Sequence, residues 1–343
     1  MIVKRVFALL VLAACAAVPA ALPPPLGVSM AESPDAAETA EGAATASDAG
    51  ALVLERADAC SLPAYIPNDA AGPAVIEDVA YANDDHRQKY DLALPDSTPK
   101  ALVVIVHGGG WTSGGKRLFR PTIRMLATQG YAAASVGYRL ASSSSKAFPA
   151  SLEDVRCAIR AVADRVHARK TIVLGASAGA HLAAMAALTQ DAPDLDGDCA
   201  DHRPLHLDGA ILYYAPLSLD RARERYIHIM RQAVDELLYG VSRVAAGVDE
   251  DAGDWAERAE RATPANFVRP GAPPMLILHG EEDNIVPAAD ARDFAKVLER
   301  DHVPHLLVEV PGQKHGFPVL ARGGGLTAAS CTMMRFLAQI AAE

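Results

Sequence analysis

The sequence predicts an α/β protein: a mostly parallel central sheet, helices on both faces, and a small helical insertion or lid. Three observations predict it. Short apolar runs recur along the chain and alternate with segments of helical periodicity, the pattern of strand–helix–strand crossovers. The runs Leu102–Val106, Thr171–Leu174 and Met275–His279 are continuous, as in strands covered on both faces. A long charged segment, Leu219–Ala262, interrupts the alternation and exceeds what a connecting loop needs.

The expected elements start with Val75–Tyr81 and Lys89–Leu94, an antiparallel edge hairpin joined by a polar turn at Asn83-Asp84-Asp85. Leu102–Val106 is the first buried strand and runs into His107-Gly108-Gly109-Gly110. A helix near Leu118–Gln129 and a strand near Tyr131–Val136 come next. The helix near Ser151–His167 has Ser151 and Asp154 at its expected start. Thr171–Leu174 reads as a strand, Ala178–Leu188 as a helix and Gly209–Tyr214 as a strand. Leu219–Ala262 reads as an insertion or lid in preference to an ordinary crossover helix. Met275–His279, a helix near Ala288–Arg300, Leu306–Val310 and a helix near Thr327–Ile340 complete the series. Ligands of such sheets sit at the carboxyl ends of the strands, which is where the chemistry-bearing motifs fall.

The chain before the first strand is of another kind. Met1–Arg5 is short and positive and Val6–Ala14 is apolar, the layout of an export signal and too short for a good membrane span. Leu12-Ala13-Ala14-Cys15 resembles a lipoprotein signal in which Cys15 is acylated. Val18-Pro19-Ala20 and Ser29-Met30-Ala31 offer ordinary cleavage sites, and the two routes stay open. The expected division is an export signal at 1–20, a flexible acidic tether at 21–70 and one domain at 71–343, with the lid at 219–262.

Charge follows this division. The 343 residues carry a formal charge of −10, with no basic excess to neutralise phosphates, which disfavours nucleic-acid binding. From Ala31 to Asp69, eight acidic residues face only Arg56, so most of that charge belongs to the tether and not to the folded domain. Export permits disulfides, and Cys60, Cys157, Cys199 and Cys331 allow three complete pairings. Cysteine and histidine spacings typical of metal sites are absent, and no cofactor is expected.

Gly175-Ala176-Ser177-Ala178-Gly179 follows one strand and opens a helix. In that setting the small flanking residues permit a sharp turn that exposes the Ser177 hydroxyl, a candidate nucleophile. The helix N-terminus adds free N–H groups and a positive dipole end. Attack on an acyl group creates a negative oxygen that donors fixed in advance must meet. Gly108 and Gly109 are the candidate donors, completed by the N–H of Ala178. A packing turn remains the alternative for the glycine run.

Trp111 is expected to line the acyl pocket, with plain core packing as the alternative. His107, at a strand end, and His181, one helical turn past Ser177, read as structural. Asp283, in the loop after Met275–His279, is the candidate acid in preference to Glu281 and Glu282. His315, after the last strand, is the candidate base. It alone of eleven histidines combines that address with the order Ser…Asp…His.

Together these residues resemble the α/β-hydrolase esterases, most closely the BD-FAE-like (feruloyl esterase-like) carboxylesterases, with the hormone-sensitive-lipase-like group nearby. The resemblance runs through most of Val75–Gln339. It includes Asp91-Leu92-Ala93-Leu94-Pro95, His107–Trp111 with Gly114-Gly115-Lys116, Tyr138-Arg139-Leu140, Gly175–Gly179 with His181-Leu182-Ala183, and His279-Gly280 with Asp283. His315-Gly316-Phe317 completes it. Val136-Gly137-Tyr138 departs from the Asp/Asn-Tyr often found before Arg-Leu, and Leu219–Ala262 is a second departure.

The resemblance implies serine-dependent hydrolysis of carboxylic esters without metal or organic cofactor; the expected substrates are small or short-acyl esters, with sugar- or polysaccharide-linked ones an open option. Amide or peptide hydrolysis on the same fold is the alternative within enzymes, and an exported non-catalytic binding module the alternative outside them. The expected partner is a small-molecule ester. Membrane contact is expected only through a lipid on Cys15, and location is the periplasm, the medium or the membrane surface. Oligomeric state is left open.

Overall fold

The computed structural model describes residues 62–66, 71–141, 148–199, 203–240, 252–323 and 325–343. The export signal, Cys15, Cys60, nearly all of the acidic tether and the middle of the insertion lie outside the described residues. The strands are β1 (Val75–Ala80), β2 (Lys89–Ala93), β3 (Leu102–Val106), β4 (Ala132–Val136), β5 (Thr171–Ala176), β6 (Gly209–Tyr213), β7 (Met275–Gly280) and β8 (His305–Val310). They form one sheet in the order β1-β2-β4-β3-β5-β6-β7-β8. β1 pairs antiparallel with β2, and β2 with β4; every other pairing is parallel.

Among the described residues the helices of nine residues or more are α1 (Arg120–Thr128), α2 (Ala150–Val166), α3 (Ala178–Leu188), α4 (His228–Tyr239), α5 (Ala252–Arg261), α6 (Ala288–Arg300) and α7 (Gly325–Ala342). One face of the sheet packs on Leu152, Val155, Leu182, Met185, Phe294 and Leu298 from α2, α3 and α6. The other packs on Ile123, Leu126, Phe336 and Leu337 from α1 and α7. β3, β5, β6 and β7 are buried along their whole length, which is why their sequences run apolar without alternation. Every residue of α3 is buried as well, so its sequence lacks the one-sided stripe of a surface helix.

The described part of the insertion is mostly helical, and it shares the larger core. Leu219, Tyr226, Met230, Val234, Leu237, Trp255 and Ala259 all join the cluster containing α2 and α3. The Tyr226 hydroxyl donates to Asp290 at 2.8 Å, and the Leu217 amide donates to the same carboxylate at 2.6 Å. These contacts fix the segment to the body of the domain.

α2 starts at Ala150, one residue before the expected Ser151. Ser151 does not cap the helix: Pro149 holds that position, and no side chain caps it. Asp154 is drawn elsewhere, accepting from the Arg139 amide at 2.7 Å and from Gln88 Nε2 at 2.9 Å. A disulfide joins Cys157 of α2 to Cys199, 42 residues away, with Cα atoms 5.6 Å apart. Closing a loop of that length stabilises the fold by about 4 kcal/mol in the chain-entropy account. Cys331 is disulfide-bonded too.

Candidate active site

Strand register assembles the site before any side chain is considered. Val106 of β3 lies opposite Gly175 of β5, so the loop beginning at His107 emerges beside Ser177. Ala176 lies opposite Tyr213 of β6, which brings Tyr214 to the same edge. Gly280 of β7 lies opposite Val310 of β8, so the loops carrying Asp283 and His315 leave the sheet side by side.

Ser177 occupies the turn between β5 and α3 with φ 53° and ψ −122°, a left-handed backbone that costs a non-glycine residue of order 1–3 kcal/mol. Its neighbours must be glycine for steric reasons. A Cβ at Gly175 would stand 2.3 Å from the Gly179 carbonyl oxygen, and one at Gly179 would stand 2.2 Å from that of Val106. The motif spacing therefore records the close approach of β3, β5 and α3.

The three sequence-predicted catalytic side chains meet. Ser177 Oγ lies 2.8 Å from His315 Nε2, and His315 Nδ1 lies 2.7 Å from Asp283 Oδ2. With Nδ1–H donating to the carboxylate, Nε2 is left to accept the serine proton. Asp283 Oδ1 accepts the backbone N–H groups of Ile285 and Val286, both at 2.9 Å. Tyr214 packs edge-on against His315, with ring centroids 4.9 Å apart.

The sequence assigns no role to two supporting residues, Tyr214 and His279, although His279-Gly280 is among the family matches. The His279 ring is fully buried, with Nε2 2.9 Å from the Val286 carbonyl oxygen and 3.3 Å from Asp283 Oδ2. Burial opposes ionisation of Asp283, but hydrogen bonds from His279 and His315 outweigh it and hold the carboxyl well below the usual range. The Met275–Gly280 strand end in the sequence was the available signal for His279.

The candidate oxyanion loop lies directly against Ser177. A Cβ at Gly108 would stand 3.2 Å from Ser177 Cβ. Gly109 adopts φ 123°, and its carbonyl accepts the Ser113 N–H and hydroxyl at 3.0 and 2.8 Å. Ala178 opens α3, where the first N–H groups lack intrahelical partners. Beneath the loop, Lys116 pairs with Asp78 and Asp91, and Arg120 pairs with Asp91 at 2.6 Å.

His107 does not reach Ser177. Its Nδ1–H donates to the Gly108 carbonyl at 2.7 Å, and its ring stacks 4.3 Å from Tyr138. Burial lowers it to about 4, so it is neutral at pH 7. Trp111, expected on the wall of the acyl pocket, has no exposed surface and sits in the core instead. Its indole N–H donates to His181, which accounts for burying a ring with a polar edge. Cys15 lies outside the described residues. Among those residues, no group of three or more His, Cys, Asp or Glu could hold a metal ion.

A family model, BD-FAE, matches residues 90–298. The chain belongs to the BD-FAE family. This BD-FAE chain is 30% identical over 261 residues to Esterase LipQ of Mycobacterium tuberculosis, covering 72% of the chain and 58% of that protein. It is 29% identical over 235 residues to Esterase LipC of the same organism, covering 65% and 54% respectively. It thus spans little more than half the length of these curated relatives.

Among solved structures, the fold matches a truncated carbohydrate esterase from gut microbiota. The TM-score is 0.67 at 21% identity, covering 82% of this chain and 100% of that one. A thermophilic esterase from the Planctomycetes species Thermogutta terrifontis matches with TM-score 0.60 and 28% identity, covering 78% and 92%. The fold is that of the α/β-hydrolases.

Proposed function

We propose that this protein is a serine carboxylic-ester hydrolase that works through an acyl-enzyme on small or short-acyl esters, sugar-linked esters among them. The observation that carries the reading is the continuous chain Ser177–His315–Asp283, at 2.8 and 2.7 Å, with Gly108 packed against the nucleophile. Names of relatives support the ester class. The Thermogutta terrifontis esterase, solved with propionate and with butyrate bound, supports the short acyl group.

In this reading His315 Nε2 takes the hydroxyl proton as Ser177 Oγ bonds to the ester carbonyl carbon and the carbonyl electron pair moves onto oxygen. The N–H groups of Gly108, Gly109 and Ala178 meet the resulting oxyanion, and Asp283 stabilises the imidazolium. Collapse breaks the bond to the alcohol oxygen, which departs with the proton from His315. Water then gives a proton to His315 and adds to the acyl carbon. Ser177 is expelled and recovers its proton, releasing the acid.

The test is hydrolysis of p-nitrophenyl esters from acetyl to decanoyl by the purified protein and by Ser177→Ala. Activity that peaks at short chains and disappears in the variant supports the reading. Near-full activity in the variant refutes it, and activity confined to long chains refutes the short-acyl assignment.

A second reading has its own support. The chain is 28% identical over 243 residues to Kynurenine formamidase avaC of Aspergillus versicolor, covering 63% of this chain and 82% of that protein. The same triad cleaves amides, and rates on matched ester and amide substrates separate the two. A non-catalytic binding module would leave Ser177 unreactive toward a fluorophosphonate. We also propose export, with a lipid on Cys15 or release into the periplasm or medium. The mass of the mature N-terminus distinguishes these routes.

A further inference from the structure

His181 and Trp111 are motif residues that the proposed chemistry leaves without a task, and the fold brings them together. Trp111 Nε1–H donates to His181 Nδ1 at 3.2 Å, and the two rings meet edge to face with centroids 5.2 Å apart. The other ring nitrogen, His181 Nε2, lies 2.7 Å from the Ala262 carbonyl oxygen, where the helical insertion rejoins the body of the domain. An imidazole that accepts at one nitrogen and donates at the other is in a single tautomer, and it must be neutral. Its complete burial agrees, lowering it to about 4.

The oxyanion loop needs an external brace. Gly109, Gly110 and Trp111 adopt φ of 123°, 57° and 58° in succession. The first two are glycines, but a tryptophan in the left-handed region is strained and persists only where its surroundings over-determine it. The indole supplies that constraint, being fully buried and hydrogen-bonded to His181. His181 is itself tied to the nucleophile turn, because its backbone N–H donates to the Ser177 carbonyl at 3.1 Å.

At the far end, Ala262 belongs to a fixed junction. Thr263 Oγ donates to the Ala259 carbonyl at 2.7 Å and accepts the Asp220 N–H at 3.0 Å, clasping the two ends of the insertion together.

We propose that His181 is a positioning residue. Its imidazole braces the oxyanion loop through Trp111 against the end of the helical insertion, and so sets where the Gly108 and Gly109 N–H groups point. The proposal rests on Ser177 being the nucleophile and on this loop receiving the oxyanion. It also gives the insertion a part in the chemistry: a shift at Ala262 would travel through the His181 and Trp111 side chains to the donors.

Three variants test it: His181→Leu, which removes both bonds; Trp111→Phe, which keeps a ring and removes only the indole N–H; and His181→Gln, which retains an acceptor and a donor. Each is assayed on p-nitrophenyl butyrate and with a trifluoromethyl ketone, whose adduct mimics the tetrahedral oxyanion. Wild-type protein is labelled in parallel with a fluorophosphonate.

Misplaced donors lower kcat at least about tenfold in His181→Leu and Trp111→Phe, with KM within about threefold of wild type. Affinity for the ketone falls in parallel with kcat/KM, and His181→Gln recovers most of both. Unchanged kcat in Trp111→Phe overturns the proposal. So does equal loss in the Gln and Leu variants with ketone affinity unchanged. Should His181→Leu fail to fold, the other two variants decide. A wild-type protein unlabelled at Ser177 marks failure of the underlying mechanism, which is thereby told apart from failure of the brace.

Discussion

Acidification to about pH 5 should weaken the fold, and a definite share of the loss should belong to His181. His107 and His181 are both fully buried, and each is lowered from 6.5 to about 4 by burial. Between those values the unfolded chain carries protons on both imidazoles and the folded chain on neither. Stability contributed by the neutral rings is therefore complete above about pH 6.5 and is lost as pH falls toward about 4. One pKa unit corresponds to about 1.4 kcal/mol, so each ring contributes roughly 3 kcal/mol in full and loses roughly 2 kcal/mol between about pH 7 and about pH 5.

Urea unfolding at the two pH values, on wild type and His181→Gln, isolates that share. Other groups contribute to the absolute loss in both proteins and cancel in the comparison. The variant is expected to lose about 2 kcal/mol less than wild type over the same interval. Equal losses would refute the claim that burial keeps His181 neutral.

Further outcomes are expected elsewhere. Replacing Cys157 and Cys199 together by Ser should lower unfolding free energy by roughly 2–4 kcal/mol, read by urea unfolding under non-reducing conditions. Gly179→Ala should cost at least about a hundredfold in kcat, because a Cβ 2.2 Å from the Val106 carbonyl oxygen must displace the turn that carries Ser177. Asp283→Asn should lower kcat by about ten-thousandfold through loss of the His315 tautomer. His279→Leu, which removes a donor to the same carboxylate, should cost roughly ten- to hundredfold.

Local signals made much of this molecule legible. The runs at Leu102–Val106 and Ala178–Leu188 match the observed β3 and α3 residue for residue, because burial on all sides leaves apolar or small side chains, with His181 the one exception in α3. Ser177 could be read because the turn that exposes it admits only small neighbours, and that requirement is written within five consecutive positions. Asp283 and His315 could be read from their addresses after late strands, which the parallel register then joins.

What escaped was carried by contacts between distant residues. The His181–Ala262 bond spans 81 positions and the Trp111–His181 bond 70, and neither leaves a periodic trace. Trp111 reads from the sequence as either pocket wall or core, and only the inward partner of its indole N–H decides for the core. The cap position of α2 is Pro149 and no side chain caps the helix, so its first residue has no capping signal in the sequence. Gly137, a departure from the family pattern, is explained only by the packed chain: a Cβ there would stand 2.4 Å from the Arg87 carbonyl oxygen.

The most direct test of the account is to trap the covalent intermediate. The protein is mixed with a slowly turned-over p-nitrophenyl ester and quenched in acid, and its mass is compared with that of untreated protein before peptide mapping. The account expects an added acyl mass on Ser177 alone, formed together with a burst of p-nitrophenol and absent from Ser177→Ala. Steady ester turnover with no adduct at Ser177, or an adduct on another residue that supports turnover, would contradict it.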